Sequence, residues 1–181
     1  MTANRWAGKV VVCIASGPSL TLEDVQRTEH LKTIAVNTSW EMARNADVIF
    51  AGDDSWWNAN HDKIGTQAER WTLAQASAEK YGLHRFPFKA PYNSGMVAIH
   101  LAAHFGASKI ILLGYDCSVK NGVHWHGKHA GKNPDPIRCG KWKKHFLHCS
   151  LFMKKAGIPV INCSRYTELA CFPRATIEDV L

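Results

Sequence analysis

The densest run of proton-handling side chains in the sequence is His124-Trp-His126-Gly-Lys128-His129, and five of the ten histidines fall between His124 and His148. A neutral imidazole held beside a bound ligand can take the proton from an attacking hydroxyl near neutral pH. Lys128, Lys132 and Arg138 follow closely enough to neutralise phosphate oxygens next to such a base. His145 and His148 belong to a helical pattern further on and read as packing or surface residues. The chemistry suggested by the cluster is general-base attack on a phosphate-linked centre.

The same His-x-His-x-x-His spacing suits a metal ion, because alternate residues of an extended segment can converge on one centre. It is similar to the His-x-His-x-Asp-His signature of metallo-β-lactamase-fold hydrolases, but Lys128 stands at the aspartate position. An ammonium there repels a second metal, and the alternation of strands and helices along this chain differs from that fold. No bound metal is therefore expected, and His124, His126 and His129 remain the ligand set of an alternative reading.

Three further clusters could hold a ligand. Ser16-Gly17-Pro18-Ser19 offers hydroxyls and a closely approaching glycine just before a helix, a setting in which backbone amides bind phosphate. It lacks the lysine of a P-loop and the third glycine of a dinucleotide fingerprint, and a plain strand-to-helix turn would use the same residues. Tyr92-Asn93-Ser94-Gly95 precedes a small-residue helix, where Asn93 or Ser94 can cap and the free amides can meet a ligand. Asp53-Asp54 could orient ribose hydroxyls or cap the next segment, whereas Trp56-Trp57 reads as core and rim.

These clusters are positioned by a recurring strand-then-helix order. Lys9 to Ala15 is a near-continuous β-branched run, as a strand buried on both faces requires. Thr21 with Asp24 opens a helix, Thr33 to Asn37 and Asp47 to Ala51 supply two more strands, and Lys109 to Leu113 and Ile158 to Asn162 supply another two. Ser94 to Phe105 is a helix closed by Gly106, and a longer one runs from about Pro136 to Gly157. The alternation predicts one α/β domain over residues 1–181, a doubly wound, mostly parallel Rossmann-like sheet with helices on both faces. Ligands of such sheets bind beyond the carboxyl ends of the strands. Those ends carry Ser16 to Ser19, Asn37, Asp53, Gly114-Tyr115-Asp116 and Asn162-Cys163-Ser164.

At 181 residues, with 46% hydrophobic and 20% charged residues, the chain suits a single folded domain. The longest apolar run is too short for a membrane helix and no basic-then-apolar leader precedes it, so a soluble, cytoplasmic protein is expected. Six cysteines without close pairing read as reduced structural thiols. The net charge of +7 is local: Lys120 to Lys155 holds nine Lys/Arg against Asp135 alone. A basic face of this kind suits a nucleotide phosphate, a polynucleotide or an acidic membrane. No helix-turn-helix, zinc-finger or aromatic RNA-binding signature accompanies it, which argues against specific nucleic-acid recognition.

Taken in order, the motifs resemble the bacterial lipooligosaccharide sialyltransferases, which use a cytidine-monophosphate sugar on one Rossmann-like domain. Val10 to Leu20 is similar to that family's first strand and Gly-Pro-Ser-Leu loop, Asn37 to its nucleotide-binding Asn, and Ser94-Gly95 to its Ser-Gly before a small-residue helix. Leu113-Gly-Tyr-Asp116 with Asn121-Gly122 resembles its Gly-Ile-Asp strand end and loop, and Cys163 to Phe172 its closing segment. The chain also closely resembles short proteins of tailed bacteriophages that share the Ala-Ser-Gly-Pro-Ser-Leu, Asn-Ser-Gly and Leu-Leu-Gly-Tyr-Asp stretches, a likeness that implies no activity. Two departures stand out. Gly52 replaces an Asn near the nucleotide, and the lid-like insertion is reduced to Val123–Asn133.

The resemblance implies a metal-independent, cofactor-free glycosyltransferase-like enzyme whose substrate is a nucleotide sugar. Ser16, Gly17, Pro18, Ser19, Asn37, Asp53, Ser94 and Gly95 would hold the nucleotide, and Gly114, Tyr115 and Asp116 the ribose and sugar side. His129 fits the base by its distance to the following helix, with His126 near a phosphate-contacting tyrosine and Lys128 beside the leaving group. With so little lid, hydrolysis stands beside transfer. A nucleotide-binding or sequestering protein without turnover and a metal-dependent hydrolase are the alternatives.

Overall fold

Val10–Ile14 (β1) is the central strand, and its residues from Val11 onward are fully buried because helices cover the sheet on both sides. In a computed structural model that describes residues 3–128 and 133–181, it is followed by Leu22–Thr28 (α1), Lys32–Val36 (β2), Val48–Ala51 (β3) and Asp54–Asn60 (α2). Next come Glu69–Thr72 (β4), Gln75–Tyr81 (α3), His84–Arg85 (β5), Ser94–His104 (α4), Lys109–Leu113 (β6), Pro136–Lys155 (α5) and Val160–Asn162 (β7). The strands form one seven-stranded sheet in the order β5-β4-β3-β2-β1-β6-β7, with every pairing parallel.

Strand alternation divides the core into two. Val11, Cys13, Ile34, Val36, Val48, Phe50, Ile110 and Leu112 face α4 and α5, whereas Val12, Ile14, Ala35, Ile49, Ala51, Ile111 and Leu113 face α1, α2 and α3. The doubly wound α/β architecture expected from the sequence is therefore present, with a wholly parallel sheet. The five anticipated strands all form, and β4 and β5 extend the sheet at one edge.

Helix starts follow their caps. The Thr21 hydroxyl accepts the Asp24 amide at 3.2 Å, the Asn93 side chain accepts the Met96 amide at 2.9 Å, and Asp135 accepts the Arg138 amide at 2.8 Å. Of the two residues able to cap α4, Asn93 does so. Among the described residues, no helix is long and apolar enough to cross a membrane.

Candidate functional site

The chain winds outward from β1 to β5, then returns through α4 to place β6 on the other side of β1, so the direction of winding reverses between β1 and β6. A crevice beyond the carboxyl ends of strands at such a reversal is where ligands of this architecture bind. The first turn of α4 spans it. The Ser94 hydroxyl accepts the Gly52 amide at the end of β3 (3.2 Å), and the Gly95 carbonyl accepts the Tyr115 hydroxyl at the end of β6 (2.9 Å).

On the β1–β6 side, the polar groups satisfy one another. The Ser19 amide and hydroxyl both donate to the carboxylate of buried Asp116, at 2.9 and 2.6 Å. The Gly17 amide donates to the Gly114 carbonyl at 2.8 Å. A side chain at Gly17 would run into that carbonyl and the Asp116 carboxylate, so Gly17 is required by the meeting of two strand ends. Gly114 has φ +69°, and a Cβ there would meet the Ala15 carbonyl and Leu20. Burial pushes the Asp116 carboxyl above its ordinary value, and the two Ser19 bonds counter that shift.

Tyr115 turns into the core, its ring edge-on to Phe146. Its backbone is also engaged: the amide donates to the Ser164 hydroxyl at 2.8 Å and the carbonyl accepts from the Thr167 hydroxyl at 2.7 Å.

The β2–β3–α4 side is more open. Asn37 has φ +51°, the left-handed conformation that Asn tolerates better than most residues, and it starts a short 3-10 helix. Ser16 and Ser39 share a hydroxyl–hydroxyl hydrogen bond of 2.9 Å, and Thr38 accepts the Trp56 indole N–H at 3.3 Å. Asp53 accepts the Tyr92 hydroxyl at 2.9 Å, and burial with Asp53 and Asp54 nearby pushes the Tyr92 phenol up to about 12. The Tyr92 ring fills the space beside Gly52, where an added Cβ would lie 2.7 Å from it. Asp54 is structural, accepting both the amide and the hydroxyl of Ser77. The Asn93 amide nitrogen is buried without a hydrogen-bond partner among the described residues, a costly state for a donor unless a ligand or water supplies an acceptor.

The histidine-bearing loop lies against the first strand's loop. The Trp125 amide donates to the Ser16 carbonyl at 3.1 Å, and Trp125 packs on the α1-side core. The rings of His124 and His126 stack with centroids 5.0 Å apart and an interplanar angle of 14°. Lys128 is exposed, and His129 and Lys132 lie outside the described residues. Among the described residues no three His, Cys, Asp or Glu side chains are grouped to hold a metal. The six cysteines are free, and burial pushes the Cys117 and Cys149 thiols up to about 12, which keeps them protonated at neutral pH.

An open groove of about 690 Å³ lies at the opposite end of the sheet, where the strands begin, lined by Arg5, Lys32, Arg44, Asp47, Thr66 and Glu69. Its carboxylates are already matched, Arg5 to Glu69 and Lys32 to Asp47, each at 2.6 Å. Arg5 Nε and Thr66 Oγ1 in that groove are also buried without partners among the described residues, so the crevice is the better candidate because it lies where the direction of winding reverses.

Sequence reasoning overlooked three supports. Tyr92 reaches Asp53 across 39 residues, Arg165 forks onto Asp24 at 2.8 and 2.9 Å, and Glu168 binds Lys120 and Lys143 at 2.9 and 2.6 Å. The Glu168 carboxyl is held far below its usual range by those lysines, so two of the clustered lysines are neutralised from outside the cluster. No local pattern signals such long-range partners. Comparison of the chain with models of known protein families and with curated proteins finds no match to either.

Proposed function

We propose that the protein is a glycosyltransferase-like enzyme that binds a nucleotide-activated sugar in the crevice and transfers or hydrolyses the sugar with a histidine base. The observation that carries this reading is the α4 first turn bridging Gly52 and Tyr115, with the unpartnered Asn93 donor beside it. Helix N-termini favour anions, and with the Ser19 donors occupied by Asp116, the phosphates belong on the α4 side. Asn37 and Asp53 would hold the nucleoside, with Gly114 and Asp116 shaping the sugar side. His129, with His126 and Lys128, is assigned to proton removal and leaving-group stabilisation.

A nucleotide binder without turnover is the second reading. It is favoured by the Ser19–Asp116 pair, which leaves the first loop complete without any phosphate. Thermal unfolding with a panel of nucleotides and nucleotide sugars, followed by product analysis, separates the two. The expected result is stabilisation by a nucleotide sugar with consumption of it, and a loss of roughly 100-fold or more in turnover for His129→Ala with affinity retained. Stabilisation without consumption selects the binder. Absence of stabilisation by any member removes the nucleotide reading altogether.

A further inference from the structure

We propose that the outward face of α5 docks on an anionic lipid bilayer. The helix has two apolar sides. Cys139, Phe146, Cys149 and Met153 are buried toward α4 and the sheet, as the inner stripe of a packed helix should be. The opposite side should be polar, yet Ile137, Leu147 and Leu151 are 76%, 48% and 58% exposed. Lys144, Leu147, Leu151 and Lys155 follow one another at spacings of three and four, with His148 four residues after Lys144 and three before Leu151, so they share that outer stripe. Scattered surface leucines need no explanation, but a stripe of them on a solvent face does.

The charge on the helix points to the kind of partner. From Pro136 to Lys155 there is no Asp or Glu, against Arg138, Lys141, Lys143, Lys144, Lys154 and Lys155. Lys143 is engaged by Glu168, and Arg138 donates to the Asn133 carbonyl. Lys141, Lys144, Lys154 and Lys155 are exposed and take part in no ion pair among the described residues.

Leucines interleaved with unneutralised lysines match an interface whose outer layer is anionic and whose next layer is hydrocarbon. The lysine stems can lie along the apolar boundary while their ammonium groups remain at phosphate depth. A polynucleotide would satisfy the lysines and leave the leucines in water, which makes lipid the better complement. This inference does not depend on the activity assigned to the crevice.

Sedimentation of the full chain with vesicles tests it, using equal parts phosphatidylglycerol and phosphatidylcholine against phosphatidylcholine alone. The expected result is binding to the anionic vesicles only. Leu147→Ser/Leu151→Ser should weaken that binding roughly tenfold or more, and Lys144→Gln/Lys154→Gln/Lys155→Gln by a similar or larger factor. Circular dichroism establishes that each variant is folded, and Ile137→Ser, at the most exposed apolar position, tests the apolar contribution again with a single change. No binding by the wild type, or undiminished binding by both the folded leucine variant and Ile137→Ser, overturns the proposal. It is equally overturned if light scattering reveals a dimer that the leucine variant dissociates. RNA binding at physiological salt that outcompetes the vesicles and ignores the leucines would also overturn it.

Discussion

The two sides of the crevice are built from similar residues and behave differently. On the β1–β6 side, Ser19, Asp116, Gly17 and Gly114 consume each other's hydrogen-bonding capacity. On the β2–β3–α4 side, Asn37 is held in a left-handed turn, Asp53 accepts a single side-chain hydroxyl, and the Asn93 nitrogen has no partner among the described residues. A Gly-Pro-Ser turn at a strand end is thus an architectural joint here, and capacity for a ligand lies where the side chains do not answer one another.

The sharpest way to break this contrast is Gly17→Val. Its side chain would meet the Gly114 carbonyl and the Asp116 carboxylate, neither of which can retreat from the buried joint, so a loss of about 3 kcal/mol or more is expected in urea unfolding. Gly52→Ala meets mainly the edge of the half-buried Tyr92 ring, which can swing aside, and should cost much less. Equal losses at the two glycines would erase the distinction between the two sides.

Asp116→Ala should cost about 2 kcal/mol by stranding two Ser19 donors, and Asp116→Asn less, because an amide oxygen can still accept. The pH dependence carries a sign. A carboxyl whose folded value is raised binds its proton more readily in the native state, so its contribution to stability falls as pH rises from the unfolded value of 3.8 through the folded one. Relative to wild type, Asp116→Asn should therefore gain stability between acid and neutral pH, which denaturant titration at several pH values measures.

On the open side, Asn37→Gly removes the side chain while keeping the left-handed backbone. Nucleotide affinity should fall about tenfold with the unfolding midpoint little changed, a pairing of results that calorimetric titration and thermal melting can check. The smallest effect is expected at Glu168→Gln. It loosens the links to Lys120 and Lys143 at neutral pH, and the difference from wild type should vanish as pH falls below the ordinary carboxylate value of 4.5 and toward the folded one.

Much of the fold was legible in the sequence. Val11 to Ile14 and Ile110 to Leu113 are unbroken apolar runs because both faces of those strands are buried. The Thr21 cap and the Gly106 stop were visible for the same kind of local reason. Residues 54–85 were not legible. The strands Glu69–Thr72 and His84–Arg85, the last two toward one edge of the sheet, are short and partly polar, and α2 and α3 have seven residues each, too few for a clear helical period. The candidate site was legible as a set of strand ends. Which of its residues engage each other was hidden, since Ser19 and Asp116 are separated by 97 positions.

The closing segment adds a constraint of timing. Ser164 and Thr167 hold the backbone of Tyr115, Arg165 clamps Asp24 across 141 positions, and the Ser19 hydroxyl lies 3.4 Å from the Tyr166 carbonyl. A chain emerging from the ribosome makes β1 and its loop first, yet the residues that lock that loop are synthesised far later. Contacts so distant in sequence carry a large loop-closure cost and slow the search for the native pairing. The first loop must therefore wait, with its Ser19 donors unanswered by Asp116, until the end of β6 has been synthesised.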